Sequence, residues 1–401
     1  MTGARLPGAP LPATDWVVCH VDMDCFYASC ERLREPALDG APVVVGMGYE
    51  PGEGHGAVAT ASYEARAFGV ESAMPITKAL EKLPRIEDAD DGDGGHYRTV
   101  DMAYYKEVAA RVKAVLHDAT EVVREVSIDE AYLDVTEVGW EDAEAFARDL
   151  KAEIQTRAGV PASVGVAPNM ATAKIASDFD KPDGLVVVRP GEARDFLAPL
   201  PVRELHGVGP VTARKLAELG IETASDLAAA DLAVLTDRFG ERGRDIHRHA
   251  RGVDERVVTP VGKPKSLSSE SAFVEATDDH EEHREKVRTL AAEVAERARA
   301  KGALYKTIGI KVVEPPFEVN TRARSLPGPV DDPNLVSEVA LSLLAEFEAS
   351  TVRKLGVRVS NLEFSPAAQA DLTAWADESG TVTEREYPSA RRDQTTFGDF
   401  D

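Results

Sequence analysis

The chain has 401 residues and a formal net charge of −24, from 70 acidic and 46 basic side chains. That length can hold several cores and more than one domain, while no run of about 18 apolar residues offers a membrane span. A basic coat for nucleic acid is excluded as the global pattern. Acids spread along the whole chain, with lysine scarcer than arginine, instead match a surface adapted to a high-salt cytoplasm.

Residues 1–15 lack the apolar core of a signal peptide and are expected to form a disordered leader. A β-branched run from Trp16 then ends in Asp22, and a helix starts near Ala28. Asp22 and Asp24 share a face if the strand continues, so periodicity leaves open which is a ligand. The three cysteines, Cys19, Cys25 and Cys30, lack zinc-ligand spacing and read as reduced structural thiols of a cytosolic protein. Residues 43–46 and 58–60 read as short strands. Residues 88–95 are acidic and Gly-rich but lack the closing glutamate of a calcium loop, so a plain connection is expected. Helical spacing follows over 102–117 (Tyr105, Val108, Val112, Val115) and 142–158 (Phe146, Leu150, Ile154).

Between those helices lies Ser127-Ile128-Asp129-Glu130-Ala131-Tyr132-Leu133-Asp134. In an ideal strand Asp129 and Glu130 point apart, but a hairpin bend can aim both into one cleft. Adjacent acids there repel unless a cation sits between them. Further strands at 162–167 and 185–188 complete an α+β layer architecture with helices on a largely antiparallel sheet. Carboxylates ending a central strand, opposite others at a neighbouring bend, make an oxygen-rich site for a hard divalent ion. Three of them suit the magnesium pair of phosphoryl transfer.

Residues 190–258 are mostly helical. Within them Gly207 and Gly209 precede Pro210, so the backbone can turn tightly at a helix N-terminus and offer amides to a phosphate; a plain Gly–Pro turn is the alternative. A hinge-like linker at 259–265 leads into the order β-α-β-β-α-β, which can close a four-stranded sheet under two helices. Alternation puts Arg322 and Arg324 on one face, and likewise Lys354, Gly356 and Arg358. Such residues either track a phosphate backbone or pair with the acidic helices. Residues 366–401 turn polar and acidic and are expected to be disordered.

Residues 21–31 (VDMDCFYASCE), 59–70 (ATASYEARAFGV) and 127–134 (SIDEAYLD), in this order, resemble the Y-family DNA polymerases of the DNA polymerase IV type. The resemblance runs from residue 16 to 364 and reappears in the last residues. It implies a multi-domain right-hand fold: palm at 16–25 and 92–189, small fingers at 26–91, helical thumb with a helix-hairpin-helix at 190–258, and little finger at 266–365. It implies low-fidelity translesion synthesis from dNTPs on primer-template DNA without a proofreading exonuclease, in the cytoplasm of a halophilic archaeon. Asp22, Asp129, Glu130 and the Met23 main-chain oxygen would hold two Mg²⁺ ions. Thr60, Tyr63, Arg66 and Lys181 would face the triphosphate, Phe26 the incoming sugar and base, and Tyr27 would exclude a ribose hydroxyl. DNA contacts are expected at Gly207, Gly209, Arg322, Arg324, Arg353 and Arg358. The end of the tail resembles a sliding-clamp-binding peptide, with Gln394, Phe397 and Phe400 as its anchors, on a monomeric polymerase. A palm-type nucleotide cyclase and a non-catalytic repair scaffold are the alternatives. The helix-hairpin-helix and basic sheet have no purpose in the first, and the intact acids none in the second.

Overall fold

The computed structural model describes residues 15–89 and 93–364. The expected leader up to residue 14 and the tail from 365, with Gln394, Phe397 and Phe400, lie outside the described residues. The chain divides into two units between Val261 and Gly262.

The first unit opens with β1 (Val18–Met23), α1 (Phe26–Arg34), β2 (Val43–Met47), β3 (Ala57–Ala61), α2 (Tyr63–Ala67), α3 (Ile76–Lys82) and β4 (His96–Thr99). It continues with α4 (Met102–Ala119), β5 (Val122–Glu125), β6 (Glu130–Asp134), α5 (Gly139–Ala158), β7 (Ala162–Ala167), α6 (Met170–Phe179) and β8 (Leu185–Val187). Its main sheet has the order β5-β6-β1-β7-β8, antiparallel except for the β7–β8 pair. The central strand β1 and its neighbour β7 are covered on both faces, which is why they read as nearly unbroken apolar runs. Cys19, Val21, Leu133 and Val164 pack with Val112 of α4 and Ile154 of α5. On the opposite face, Val18, Tyr132 and Ala167 pack with Ala173 and Ala176 of α6.

A smaller sheet of order β3-β2-β4 packs Val44, Val58 and Tyr97 against Ile76 and Ala79 of α3. Because β4 runs parallel to β2, this sheet draws on chain beyond residue 91, where the sequence placed the end of the fingers. Of the acidic connection expected at 88–95, residues 90–92 lie outside the described residues.

Five short helices end the unit: α7 (Ala193–Leu197), α8 (Pro210–Ala217), α9 (Ala224–Ala229), α10 (Leu232–Phe239) and α11 (Glu241–Ala250). They share a core of Leu205, Leu216, Leu227, Leu235 and Ile246. The second unit runs β9 (Ser266–Thr277), α12 (His280–Ala300), β10 (Leu304–Glu314), β11 (Glu318–Val330), α13 (Pro333–Leu344) and β12 (Val352–Glu363), the expected β-α-β-β-α-β order. Its sheet, β11-β10-β12-β9, is antiparallel throughout. Ile308, Ile310, Val357 and Val359 face Val287, Val294 and Val339 of the two helices. Among the described residues no helix is long and apolar enough to cross a membrane.

Candidate active site

The period-two alternation of β1 sends His20 and Asp22 to the α6 face of the main sheet. Register then lines up their neighbours: His20 lies between Tyr132 and Gly165, and Asp22 between Glu130 and Ser163. Asp129 precedes β6 at the hairpin bend, where its carbonyl accepts the Met23 amide at 2.9 Å. Ser127 shapes that bend. Its Oγ accepts the Asp129 and Glu130 amides, each at 3.1 Å, and its hydroxyl donates to Asp129 Oδ1. Asp22, Met23, Asp129 and Glu130, remote along the chain, thus meet at one end of adjacent strands. Burial, reinforced by the charges of Asp22 and Glu130 and resisted by the Ser127 hydrogen bond, raises the carboxyl pKa of Asp129.

Two ammonium groups stand among these oxygens. Lys174 Nζ of α6 lies 2.6 Å from Glu130 Oε2 and 3.5 Å from Asp22 Oδ2, and Lys181 Nζ lies 2.6 Å from Asp22 Oδ1. α6 comes this close because Gly165 has no side chain: a Cβ there would sit 2.1 Å from the Ala173 carbonyl oxygen. Burial opposes the charge on Glu130, yet the Lys174 ammonium beside it holds its carboxyl below the usual carboxylate range. Burial likewise opposes the Lys174 charge, and Asp178, Glu130 and Asp22 overcome it, raising the ammonium above its ordinary range. Ser177 Oγ gives its single proton to the Lys174 carbonyl (2.7 Å), so it accepts from His20 Nδ1 (2.7 Å). That fixes the proton of neutral His20, whose pKa burial lowers, on Nδ1. Nε2 is buried without a hydrogen-bond partner and stands 3.5 Å from Glu130 Oε2. Lys174, at the shorter distance, is therefore the main hold on Glu130.

Asp24 is used differently. Cys25 takes a left-handed backbone conformation (φ 44°) between β1 and α1, and Asp24 turns into the core, 1% exposed. Its carboxylate accepts from the Ser163 hydroxyl (2.9 Å), the Tyr63 hydroxyl (3.1 Å) and the Asp183 amide (2.8 Å). Because the chain leaves the strand at Met23, Asp22 and Asp24 do not share a face. Asp24 ties β1 to β7, to α2 and to the loop carrying Lys181.

Phe26 is buried, and its neighbour Tyr27 stacks on Tyr105 of α4 with ring centroids 4.6 Å apart. Tyr105 is fixed in turn by its hydroxyl, which donates to buried Glu31 at 2.7 Å. Thr60 lies half-buried on β3. Arg66 crosses the Tyr63 ring at 5.0 Å and donates Nε–H to the Ala61 carbonyl. Among the described residues no three acidic, histidine or cysteine side chains converge closely enough to enclose an ion as they stand. The donors are nonetheless all oxygens, and one cation, Lys174, already bridges Asp22 and Glu130. This chemistry fits a hard divalent ion.

Residues 21–178 match the impB/mucB/samB family, residues 190–221 the IMS family HHH motif, and residues 264–372 the impB/mucB/samB family C-terminal domain. The chain is 61% identical to DNA polymerase IV of Halobacterium salinarum over 94% of its own length and 92% of that protein's. It is 42% identical to DNA polymerase IV of Methanoculleus marisnigri over 89% and 97%. Its fold matches a Y-family DNA polymerase chimera with a TM-score of 0.76 at 30% identity, covering 87% of this chain and all (100%) of that one. An insertion ternary complex of Dbh DNA polymerase matches at 0.62 and 29% identity, over 87% and 100%. This chain belongs to the Y-family DNA polymerases, of the DNA polymerase IV type. It is a DNA-directed DNA polymerase of the translesion class, and its acidic composition agrees with the Halobacterium relative.

The polymerase's expected DNA contacts lie in two places. Gly207 adopts φ +91°, a conformation that favours glycine, and Gly209, the N-cap of α8, has open space where a Cβ would be. In the second unit the arginines do not form one surface. Arg322 pairs with Glu346 at 2.6 Å and Arg324 bonds Ser342 at 3.1 Å, both on the helix-covered side of β11. Arg353 lies over the Phe317 ring at 5.9 Å. Arg358 projects from the open face and donates to Ser266 at 3.0 Å; on that face Glu270 pairs with Lys311 (2.9 Å) and with Lys354. Sequence reasoning missed His20, Ser127, Ser163, Lys174, Ser177 and Asp178. Only the Lys174/Asp178 spacing on a helix gave any signal for them.

Proposed function

We propose that Asp22, Asp129, Glu130 and the Met23 carbonyl hold a pair of Mg²⁺ ions and that the protein adds dNTPs to primer-template DNA with low fidelity and no proofreading. The observation that carries this is the register: Asp22 faces Glu130 across the β1–β6 pair, and the Asp129 carbonyl is bonded to Met23. When bound, the ions would lower the pKa of the primer 3′-hydroxyl and neutralise the departing pyrophosphate. The protein's own work is positioning, since phosphoryl transfer needs little covalent help. The Ser127 bend orients Asp129 and Glu130. Tyr63, Arg66 and Thr60 cradle the triphosphate, Arg66 through a planar fork suited to two phosphate oxygens. Lys181 adds a compact charge once its carboxylate partner is taken by an ion. Phe26 packs against the incoming sugar and base, and Tyr27, braced by Tyr105, closes the space below C2′.

Gly207 and Gly209 would leave backbone amides for a DNA phosphate, and Arg353 and Arg358 would meet the backbone from the second unit; Arg322 and Arg324 would join them only on releasing Glu346 and Ser342. Gln394, Phe397 and Phe400 would dock one polymerase monomer on a sliding clamp in the cytoplasm. Primer extension with a single dNTP in molar KCl tests the reading. Wild type extends by one nucleotide, while Asp129→Asn binds DNA but loses incorporation; near-wild-type turnover by this variant refutes the ligand assignment. Tyr27→Ala should raise the kcat/KM of ribonucleotides relative to deoxyribonucleotides by about 100-fold; an unchanged ratio removes the gate.

A further inference from the structure

Two charged groups touching this site, Lys174 and Asp178, have no part in the proposed chemistry. Asp178 stands on the last turn of α6 with its side chain 48% exposed, yet it reaches both site lysines. Its Oδ2 lies 3.7 Å from Lys174 Nζ, and its Oδ1 lies 2.8 Å from Lys181 Nζ. The 174/178 spacing places that pair on one face of α6. Asp22, Lys181, Asp178, Lys174 and Glu130 thereby form a continuous series of alternating charge.

An ammonium 2.6 Å from Glu130 Oε2 holds the oxygen that a divalent ion needs, so an ion can enter only if Lys174 lets go. Both lysines are mostly buried, 26% and 17% exposed, and a displaced, unpaired ammonium would be costly there. α6 is held against the sheet, where Ala173 and Ala176 pack on Val18 and Ala167 and Ser177 accepts from His20 of β1. Only the side chains can move, and one carboxylate outside the ligand set lies within reach of both.

The geometry points to Asp178 as a positioning residue that retains Lys174 and Lys181 beside the site in two states. Without a divalent ion the ammonium groups balance Glu130 and Asp22; when an ion enters, they shift onto Asp178. Each ammonium then keeps a carboxylate oxygen in both states, the two sharing Asp178 when the ion is bound. The inference rests on the metal assignment proposed above, and it makes ion entry an exchange of cations rather than an addition.

Mn²⁺ alone, without DNA or nucleotide, is the probe, and the electron paramagnetic resonance signal of free Mn²⁺ follows its binding to the full chain in 1 M KCl. There the screening length is about 3 Å, which suppresses the through-space influence of an exposed carboxylate. Lys174→Met should tighten Mn²⁺ binding about tenfold, the scale of one charge-assisted hydrogen bond. Asp178→Asn should weaken it by about as much and should have no effect in a Lys174→Met/Lys181→Met background. Binding that becomes detectable only in Lys174→Met also supports the exchange. No change on Asp178→Asn, equal weakening in both backgrounds, or no binding in any variant overturns it. Asp22→Asn separates the two claims. If it abolishes Mn²⁺ binding while the lysine and Asp178 variants behave as wild type, the exchange alone fails; if Mn²⁺ binds unchanged, the metal assignment fails.

Discussion

At the scale of single residues, the environment separates four acids that look alike in sequence. Asp24 is the buried anchor. Replacing it by Asn puts an amide donor against the Asp183 amide and the Ser163 hydroxyl, so Asp24→Asn should cost about 2–4 kcal/mol in urea unfolding. Glu130 is the acid whose ionisation the fold favours. Its folded pKa lies below the unfolded value near 4.3, so its contribution is full above the unfolded value and fades as pH falls through the folded one. The raised Lys174 contributes below an unfolded value near 10.4 and fades only above it. In chelator, Lys174→Met should move the Glu130 titration upward and shift the loss of stability to higher pH, as carboxyl NMR and urea midpoints at pH 3–6 would register. The acidic motifs were legible because two aspartates at a strand end and an Asp-Glu pair between β runs are rare and chemically pointed. Lys174 was not, since a lysine within a helical repeat carries no mark of the strand it will lie against.

At the scale of elements, helices and strands were readable where one face is buried, as in α4, α5 and the second unit, and where both are, as in β7. Reading failed at a pairing between distant segments: β4 joins β2 across a gap of some 50 residues, and no local pattern announces it. It also fell short for the arginines of β11. Alternation put Arg322 and Arg324 on one face, as found, but not which face, and Glu346 and Ser342 draw them to the helix side. The two glycines before α8 should part company under substitution. Gly207→Ala forces a side chain into φ +91° and should cost about 1–2 kcal/mol. Gly209→Ala should leave the urea midpoint unchanged and weaken DNA binding, because its space is open on the protein side. Equal loss of stability in both variants would contradict this.

At the scale of the whole molecule, the charge of −24 governs the conditions under which the fold is stable. Mutual repulsion of surface carboxylates is screened over about 3 Å in 1 M salt against about 10 Å in 0.1 M. The thermal midpoint should therefore climb steadily between 0.1 and 2 M KCl, and a flat profile would reject the halophilic reading. Removing residues 394–401 should leave unassisted primer extension intact and abolish its stimulation by a sliding clamp.

The contact at Gly165 has a genetic corollary. A screen for alleles that yield normal amounts of folded but inactive enzyme should return changes at Asp22, Asp129 and Glu130. It should never return Gly165, where even a methyl group would meet the Ala173 carbonyl and the Ser177 amide. Such alleles belong among those that yield no enzyme at all, so immunoblot abundance would sort chemistry from scaffolding without a single activity measurement.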